Sequence, residues 1–187
     1  MIKSLPNILT LTRIASIPLI VISFYVLGNS KFAHIFSATL FILAGITDFL
    51  DGYLARAYSI QSNLGKFLDP IADKLLVGAI ILMLVHFDRA DIFPSLAIIC
   101  REIIVSGLRE FLAEIRISIP VSKLAKVKTF VQIVAIFMLL LGNKGSGMAY
   151  VDVMGRIALW IAAALTLFTG YAYLKSGLQH ISDTTSE

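Results

Sequence analysis

Residues 67–86 read FLDPIADKLLVGAIILMLVH. Two aspartates, Asp69 and Asp73, stand at the head of this run, and from Leu75 to Val85 no charged residue follows. A helix of this length rises about 30 Å, the thickness of a bilayer's hydrocarbon core. The stretch therefore reads as a membrane-spanning helix that carries carboxylates near one boundary.

Working outward, the same pattern recurs. Six apolar runs are long enough to span, with polar breaks between them: about Ile8 to Leu27, Phe32 to about Ala57, Phe67 to His86, a fourth opened by Phe93-Pro94-Ser95 that fades into Glu114-Ile115-Arg116, about Leu124 to Leu141, and about Val153 to Leu174. The expected fold is all-α, a polytopic membrane protein with six transmembrane helices. A membrane β-barrel would need roughly ten-residue segments of alternating polarity, and none is visible. Composition agrees. Of the 187 residues, 58% are hydrophobic and only 15% charged, where soluble domains carry about 25% charged residues. The chain reads as one domain, 1–187, with a short polar tail at 182–187 expected to be mobile. The first run reads as a retained span rather than a signal peptide, because no small-residue cleavage site follows it. The single cysteine, Cys100, cannot form an internal disulfide.

Net charge is +4. The basic residues cluster between apolar runs, which points to a membrane surface or a phosphorylated substrate and away from nucleic acid. With six spans both termini share a side. Leaving out mid-span Arg101, that side holds eleven basic residues (Lys3, Arg13, Arg56, Lys66, Lys74, Arg109, Arg116, Lys123, Lys126, Lys128 and Lys175), and the other holds four (Lys31, Arg89, Lys144 and Arg156). The richer side is expected to be cytoplasmic.

Asp48, Asp51, Asp69 and Asp73 fall within or beside the second and third spans. A charge at a span's centre costs roughly 2.5–3.5 kcal/mol on insertion scales. Asp48 lies roughly 24 Å along a helix entering from outside, and Asp69 and Asp73 lie in the first two turns of one entering from the cytoplasm, so all four are expected at similar depth. The pairs are three and four residues apart, so each pair shares a helical face. Four converging carboxylates would repel; hard divalent cations, Mg²⁺ or Mn²⁺, remove the conflict, and a pair of ions suits displacement at phosphorus. Gly52 and Ala55 offer bare backbone on the same face, Gly65 precedes the third span, and Arg56 supplies a fixed cation suited to phosphate.

The full stretch runs Asp48-Phe-Leu-Asp51-Gly52-Tyr-Leu-Ala55-Arg56, eight residues, then Gly65-Lys-Phe-Leu-Asp69-Pro-Ile-Ala-Asp73. It resembles the complete signature of the CDP-alcohol phosphotransferases, and the six-span layout extends the resemblance over essentially the whole chain. The resemblance implies that Asp48, Asp51 and Asp69 hold the metals and that Asp73 completes the site and serves as general base. It implies that Asp48, Gly52, Ala55 and Arg56 line the cytidine diphosphate pocket, that the donor is CDP-diacylglycerol within membrane lipid, and that the protein is a homodimer. A bacterial inner membrane, with the site facing the cytoplasm, is the expected location.

The acceptor alcohol is read from elsewhere. Arg101-Glu102-Ile-Ile-Val-Ser106-Gly107-Leu-Arg109-Glu110, then Lys126-Val-Lys128-Thr129 with Gln132, and Pro6-Asn7-Ile-Leu-Thr10-Leu-Thr-Arg13 all resemble the branch that uses glycerol 3-phosphate. Its dianionic phosphate needs cations, and the candidates are Arg109, Lys126, Arg101 and Lys128. Lys126 and Lys128 point about 200° apart on a helix, so one should face the pocket, and Lys126 is favoured. Arg101 has pairing with Glu102 as its structural alternative. Arg13 is read as snorkelling to the headgroups, and Arg116 and Lys123 as surface charges facing anionic lipid. Inositol phosphate would need the same cations, and serine is a further acceptor in the same family. From a different class, intramembrane aspartates would fit a divalent-cation transporter; against it, the carboxylates cluster at one face and no polar residues line the outer halves of the second and third spans.

Overall fold

The computed structural model describes the backbone of residues 5–57, 63–115, 117 and 123–185, and the side chains of residues 8–47, 68–115, 117 and 123–179. Every regular element among them is a helix: α1 Leu5–Leu27, α2 Lys31–Ala57, α3 Asn63–His86, α4 Ile92–Glu114, α5 Lys123–Ser146 and α6 Val151–Thr185.

The breaks between helices follow from local chemistry. Gly28, at φ +59°, ends α1, and Ser30 caps α2 by accepting from the Ala33 N–H at 3.2 Å. After α3 the N–H groups of Arg89 and Ala90 both return to the Leu84 carbonyl, which takes up an acceptor the helix end would leave open. Asp91 stands at the N-cap of α4 in extended conformation, but its carboxylate makes no capping bond. It accepts instead from Arg156 at 3.2 Å and from the Trp160 indole at 2.8 Å, tying the α3–α4 turn to α6.

Side-chain contacts show that the helices alternate in direction. Thr10 near the start of α1 reaches Asp69 near the start of α3, and Lys74 of α3 reaches Glu110 near the end of α4. At the opposite end His34, Arg89, Leu139, Leu140 and Asp152 meet. One apolar core joins all six helices, with Ile20 and Phe24 from α1, Phe41 from α2, Ile80 and Leu84 from α3, Ile98 from α4, Ile136 and Leu139 from α5 and Leu159 from α6. On α6 the small residues Gly155, Ala162, Ala163, Gly170 and Gly177 recur roughly every two turns, and all are buried. They let α6 lie close to its neighbours: a Cβ at Gly155 would stand 3.0 Å from Leu139, and one at Gly177 2.8 Å from Leu108.

The outer surface is apolar. Tyr25, Val26, Phe32, Phe93, Ile103, Phe130, Phe168 and Tyr171 are all exposed. Such a surface is stable against hydrocarbon rather than water, and the protein is a membrane protein. Among the described residues three helices are long and apolar enough to cross a bilayer by length and composition, in α1, α5 and α6, and Lys31–Thr47 of α2 is a shorter apolar stretch.

One boundary agrees with the sequence reading and one differs. At Gly142, the expected stop of the fifth run, the backbone leaves helical geometry in a kink at φ +57°, and a short second helical stretch follows to Ser146. The last helix runs on through Thr185, across most of the tail expected to be mobile.

The kink has a cause. Arg89 extends a guanidinium nitrogen across the bare Gly142 backbone, where a Cβ would stand only 1.9 Å away, to reach Asp152 at 2.5 Å. The Asp152 N–H donates to Asn143 at 3.0 Å, the Asn143 N–H returns to Asp152 at 3.2 Å, and Arg89 also donates to the Leu139 carbonyl at 2.9 Å. Gly142→Ala should therefore lower stability by about 2 kcal/mol, through both the left-handed φ and the displaced guanidinium. A lower midpoint of thermal unfolding in detergent would register it; an unchanged midpoint would mean the guanidinium moves aside freely.

Candidate active site

Asp69 and Asp73 occupy successive turns of α3 and turn toward α1, as their four-residue spacing requires. The Thr10 hydroxyl donates to Asp69 Oδ1 at 2.6 Å, and Arg13 Nη1 donates to Asp73 Oδ1 at 2.9 Å. The two helices run parallel here, so one turn of α1 matches one turn of α3. Arg13 is fully buried, while the Asp73 side chain is 52% exposed. Arg13 thus does not snorkel. Its face of α1 turns into the bundle, where a carboxylate is nearer than any headgroup, and burial of a guanidinium is tolerated because that partner is charged.

Beyond Asp73 the polar surface passes to α4. Lys74 Nζ bonds Ser106 Oγ and lies 3.7 Å from Glu110, which itself accepts from Ser106 at 3.2 Å. Arg109 stands over the Tyr173 ring at 5.7 Å, a cation–π distance. Deeper, Glu102 of α4 faces two cations, Arg101 at 3.3 Å and Lys128 of α5 in a closer ion pair. Arg101 also donates to Thr169 at 3.4 Å, and its stem lies against Gly170, where a Cβ would come within 2.8 Å.

Only one of the two α5 lysines turns inward, as a 200° separation (roughly) demands. It is Lys128, which is buried; Lys126, favoured from the sequence, is exposed. The pairing of Arg101 with Glu102 is present, and Lys128 shares the same carboxylate. Asp48, Asp51, Gly52, Ala55 and Arg56 lie in the helical backbone of α2, but their side chains are outside the described residues, as is that of Gly65's neighbourhood. Arg116 is likewise outside them, and Lys123 is exposed at the start of α5.

Thr166 and Thr169 stand in no motif of the sequence, and Thr10 and Arg13 stand only in the Pro6–Arg13 stretch, without these contacts. The signal for α1 was the three-residue spacing of Thr10 and Arg13, which matches a helical face. Gln132 and Thr166 are buried, and Gln132 Oε1 and Thr166 Oγ1 have no hydrogen-bond partner among the described residues.

Among the described residues no group of three or more His, Cys, Asp or Glu side chains gathers as a metal site. Asp69 and Asp73 nonetheless fit the ligand chemistry of a hard cation. Each offers carboxylate oxygen, Thr10 and Arg13 engage only Oδ1 in these bonds, and a carboxylate has about four lone-pair sites.

The outer half of α2 is not free of polar residues, contrary to the sequence reading. His34 and Ser37 are buried there. Their polar atoms are engaged within the bundle: His34 with the Leu140 carbonyl and Asn29, both at 2.7 Å, and Ser37 with Ser23 at 2.7 Å.

A family model described as CDP-alcohol phosphatidyltransferase matches residues 3–168. The chain belongs to the CDP-alcohol phosphatidyltransferase family. The match takes in the carboxylates of α2 and α3 and the basic residues of α4 and α5. A Rickettsia felis protein named CDP-diacylglycerol–glycerol-3-phosphate 3-phosphatidyltransferase is 55% identical over 174 residues, 93% of this chain and 95% of that one. A Bacillus subtilis protein of the same name is 41% identical over 182 residues, 92% and 94% of the two chains. One from Cereibacter sphaeroides is 36% identical over 217 residues, 96% and 98% of the two. As a member of the CDP-alcohol phosphatidyltransferases the chain is an enzyme of CDP-alcohol phosphotransfer.

Glu102 carries the charge balance of the α4–α5 contact. Glu102→Gln would leave Lys128, whose side chain is only 5% exposed, without a counter-ion. We expect a loss of about 3 kcal/mol, the scale for breaking a buried pair. Thermal unfolding in detergent measures it, and Glu102→Asp, which keeps the charge, should lose less.

Proposed function

We propose that the protein transfers the phosphatidyl group of CDP-diacylglycerol to glycerol 3-phosphate, giving phosphatidylglycerol phosphate and CMP. The observation that carries this reading is the identity with relatives of that name along more than nine-tenths of both chains. The reading is supported by carboxylates suited to a metal on α3 and cations suited to a phosphate at the α4–α5 contact, with Lys74 and Glu110 joining α3 to α4.

In this reading all six helices span a bacterial inner membrane, and the site faces the cytoplasm. The excess of basic residues on that side supports the orientation. Asp48, Asp51 and Asp69 hold Mg²⁺ or Mn²⁺ ions, with Asp73 completing the set; the ions would stabilise charge on the phosphoryl oxygens and on departing CMP. Asp48, Gly52, Ala55 and Arg56 receive the cytidine diphosphate. Arg109, Arg101 and Lys128, with Lys126 at the rim, hold the phosphate of glycerol 3-phosphate. Asp73 takes the proton of the acceptor hydroxyl as its oxygen bonds to the phosphorus bearing diacylglycerol, and the bond from that phosphorus to the CMP oxygen breaks. The open side of Asp73 supports that role, since a general base needs hydrogen-bond reach to its substrate. The active form is a homodimer, a reading that rests on the family resemblance.

The test is a panel of acceptors given to the purified protein with CDP-diacylglycerol. Glycerol 3-phosphate should yield lipid product and CMP in the presence of Mg²⁺ or Mn²⁺, and chelation should abolish both. Product from inositol phosphate or serine, with none from glycerol 3-phosphate, would overturn the assignment. Asp73→Asn should abolish turnover while CDP-diacylglycerol binding persists; a parental rate would remove Asp73 as the base.

A further inference from the structure

Thr10 and Arg13 belong neither to the carboxylate signature nor to the basic set, yet both are buried and both hold its carboxylates. Taking a guanidinium out of water is costly, and an ion pair to a half-exposed partner is a poor source of stability. The arrangement makes better sense in terms of orientation. The terminal torsion of an aspartate is broad and roughly two-fold, so a bond to one oxygen selects where the other points. A second bond one helical turn away does the same for its neighbour. Both bonds come from α1, and α1 also packs against α2, which carries positions 48 and 51.

We propose that α1 is a positioning helix for the transfer: Arg13 and Thr10 hold Oδ1 of Asp73 and Asp69, and so fix the remaining carboxylate oxygens toward acceptor and cation. This deepens the reading above and rests on it. Partners of this kind, one layer behind metal-binding side chains, set ligand orientation and typically change affinity or activity by about 10–100-fold when removed. The guanidinium matters as a planar fork, which a lysine's point charge does not reproduce.

The experiment compares the parent with Thr10→Val, Arg13→Lys, Arg13→Met and Asp69→Asn, each as the full chain in detergent. Manganese titration followed by electron paramagnetic resonance gives metal affinity without reference to turnover, and steady-state assays separate kcat from KM. Thr10→Val, which keeps the shape and removes one proton donor, should weaken Mn²⁺ binding about tenfold. Arg13→Lys should lose about tenfold in kcat at unchanged KM for either substrate, and Arg13→Met should lose more. If Arg13→Met does not fold, the other two variants carry the test. Parental Mn²⁺ affinity in Thr10→Val alongside loss in Asp69→Asn overturns the proposal, and so does an unchanged kcat, or a change confined to KM, in Arg13→Lys. Parental affinity in Asp69→Asn as well would instead sink the underlying assignment of Asp69 to metal.

Discussion

The charges that this bundle takes out of water are met by opposite charges, and that constraint arranges both of its ends. Arg13 meets Asp73, Lys128 and Arg101 meet Glu102, and Arg89 meets Asp152. In each case the partners lie on different helices or on a helix and a turn, apart from adjacent Arg101 and Glu102. A lone buried charge in low dielectric would cost several kcal/mol, so these pairs dictate which helical faces can meet. The apolar core supplies packing on every side, but Leu against Ile tolerates rotation of a helix in a way that a guanidinium against a carboxylate does not.

The two ends use the constraint differently. At the end holding Arg89 the polar groups are closed on each other: the guanidinium reaches a carboxylate, a backbone carbonyl and the His34 ring, and His34 is held by Asn29 and the Leu140 carbonyl as well. Gly142 is bare so that this closure can occur. At the other end the pairs are lopsided. Arg13 is fully buried but Asp73 is half open, and Lys74 is partly covered while the Glu110 side chain is 71% exposed. Closed polar contacts at one end and exposed carboxylates at the other make the second end the approach for a charged ligand among the described residues.

Much of this was legible in sequence. Helix number and approximate limits follow from apolar runs and from breaks such as Gly28-Asn29-Ser30, because in hydrocarbon the backbone must bond within each segment. The shared face of Asp69 and Asp73 follows from four-residue spacing. What failed needed a neighbour. Arg13 looked like a snorkelling residue because a single helix cannot say which of its faces meets another carboxylate. The choice between Lys126 and Lys128 turned on the rotation of α5, which is set by Glu102 across the interface. His34 and Ser37 were overlooked as polar lining, since two such residues barely lower the hydropathy of a long run.

The charge count of the deeper cluster bears on what it can hold. Two cations, Arg101 and Lys128, share the single carboxylate of Glu102, which leaves one positive charge over. Arg109 rests on the Tyr173 ring, which attracts a cation without neutralising it. Among the described residues the cluster thus carries a surplus of two positive charges, while α3 beside it carries Asp69 and the Arg13-paired Asp73. An anionic phosphate monoester is drawn to the surplus, and its charge at neutral pH is close to what the surplus balances. A hydroxyl on the same small molecule then has only the carboxylate side left to face. Under the proposed reading, the orientation of the acceptor across the site comes from this separation of charge between α3 and the α4–α5 contact, before any specific hydrogen bond to its carbon skeleton is made.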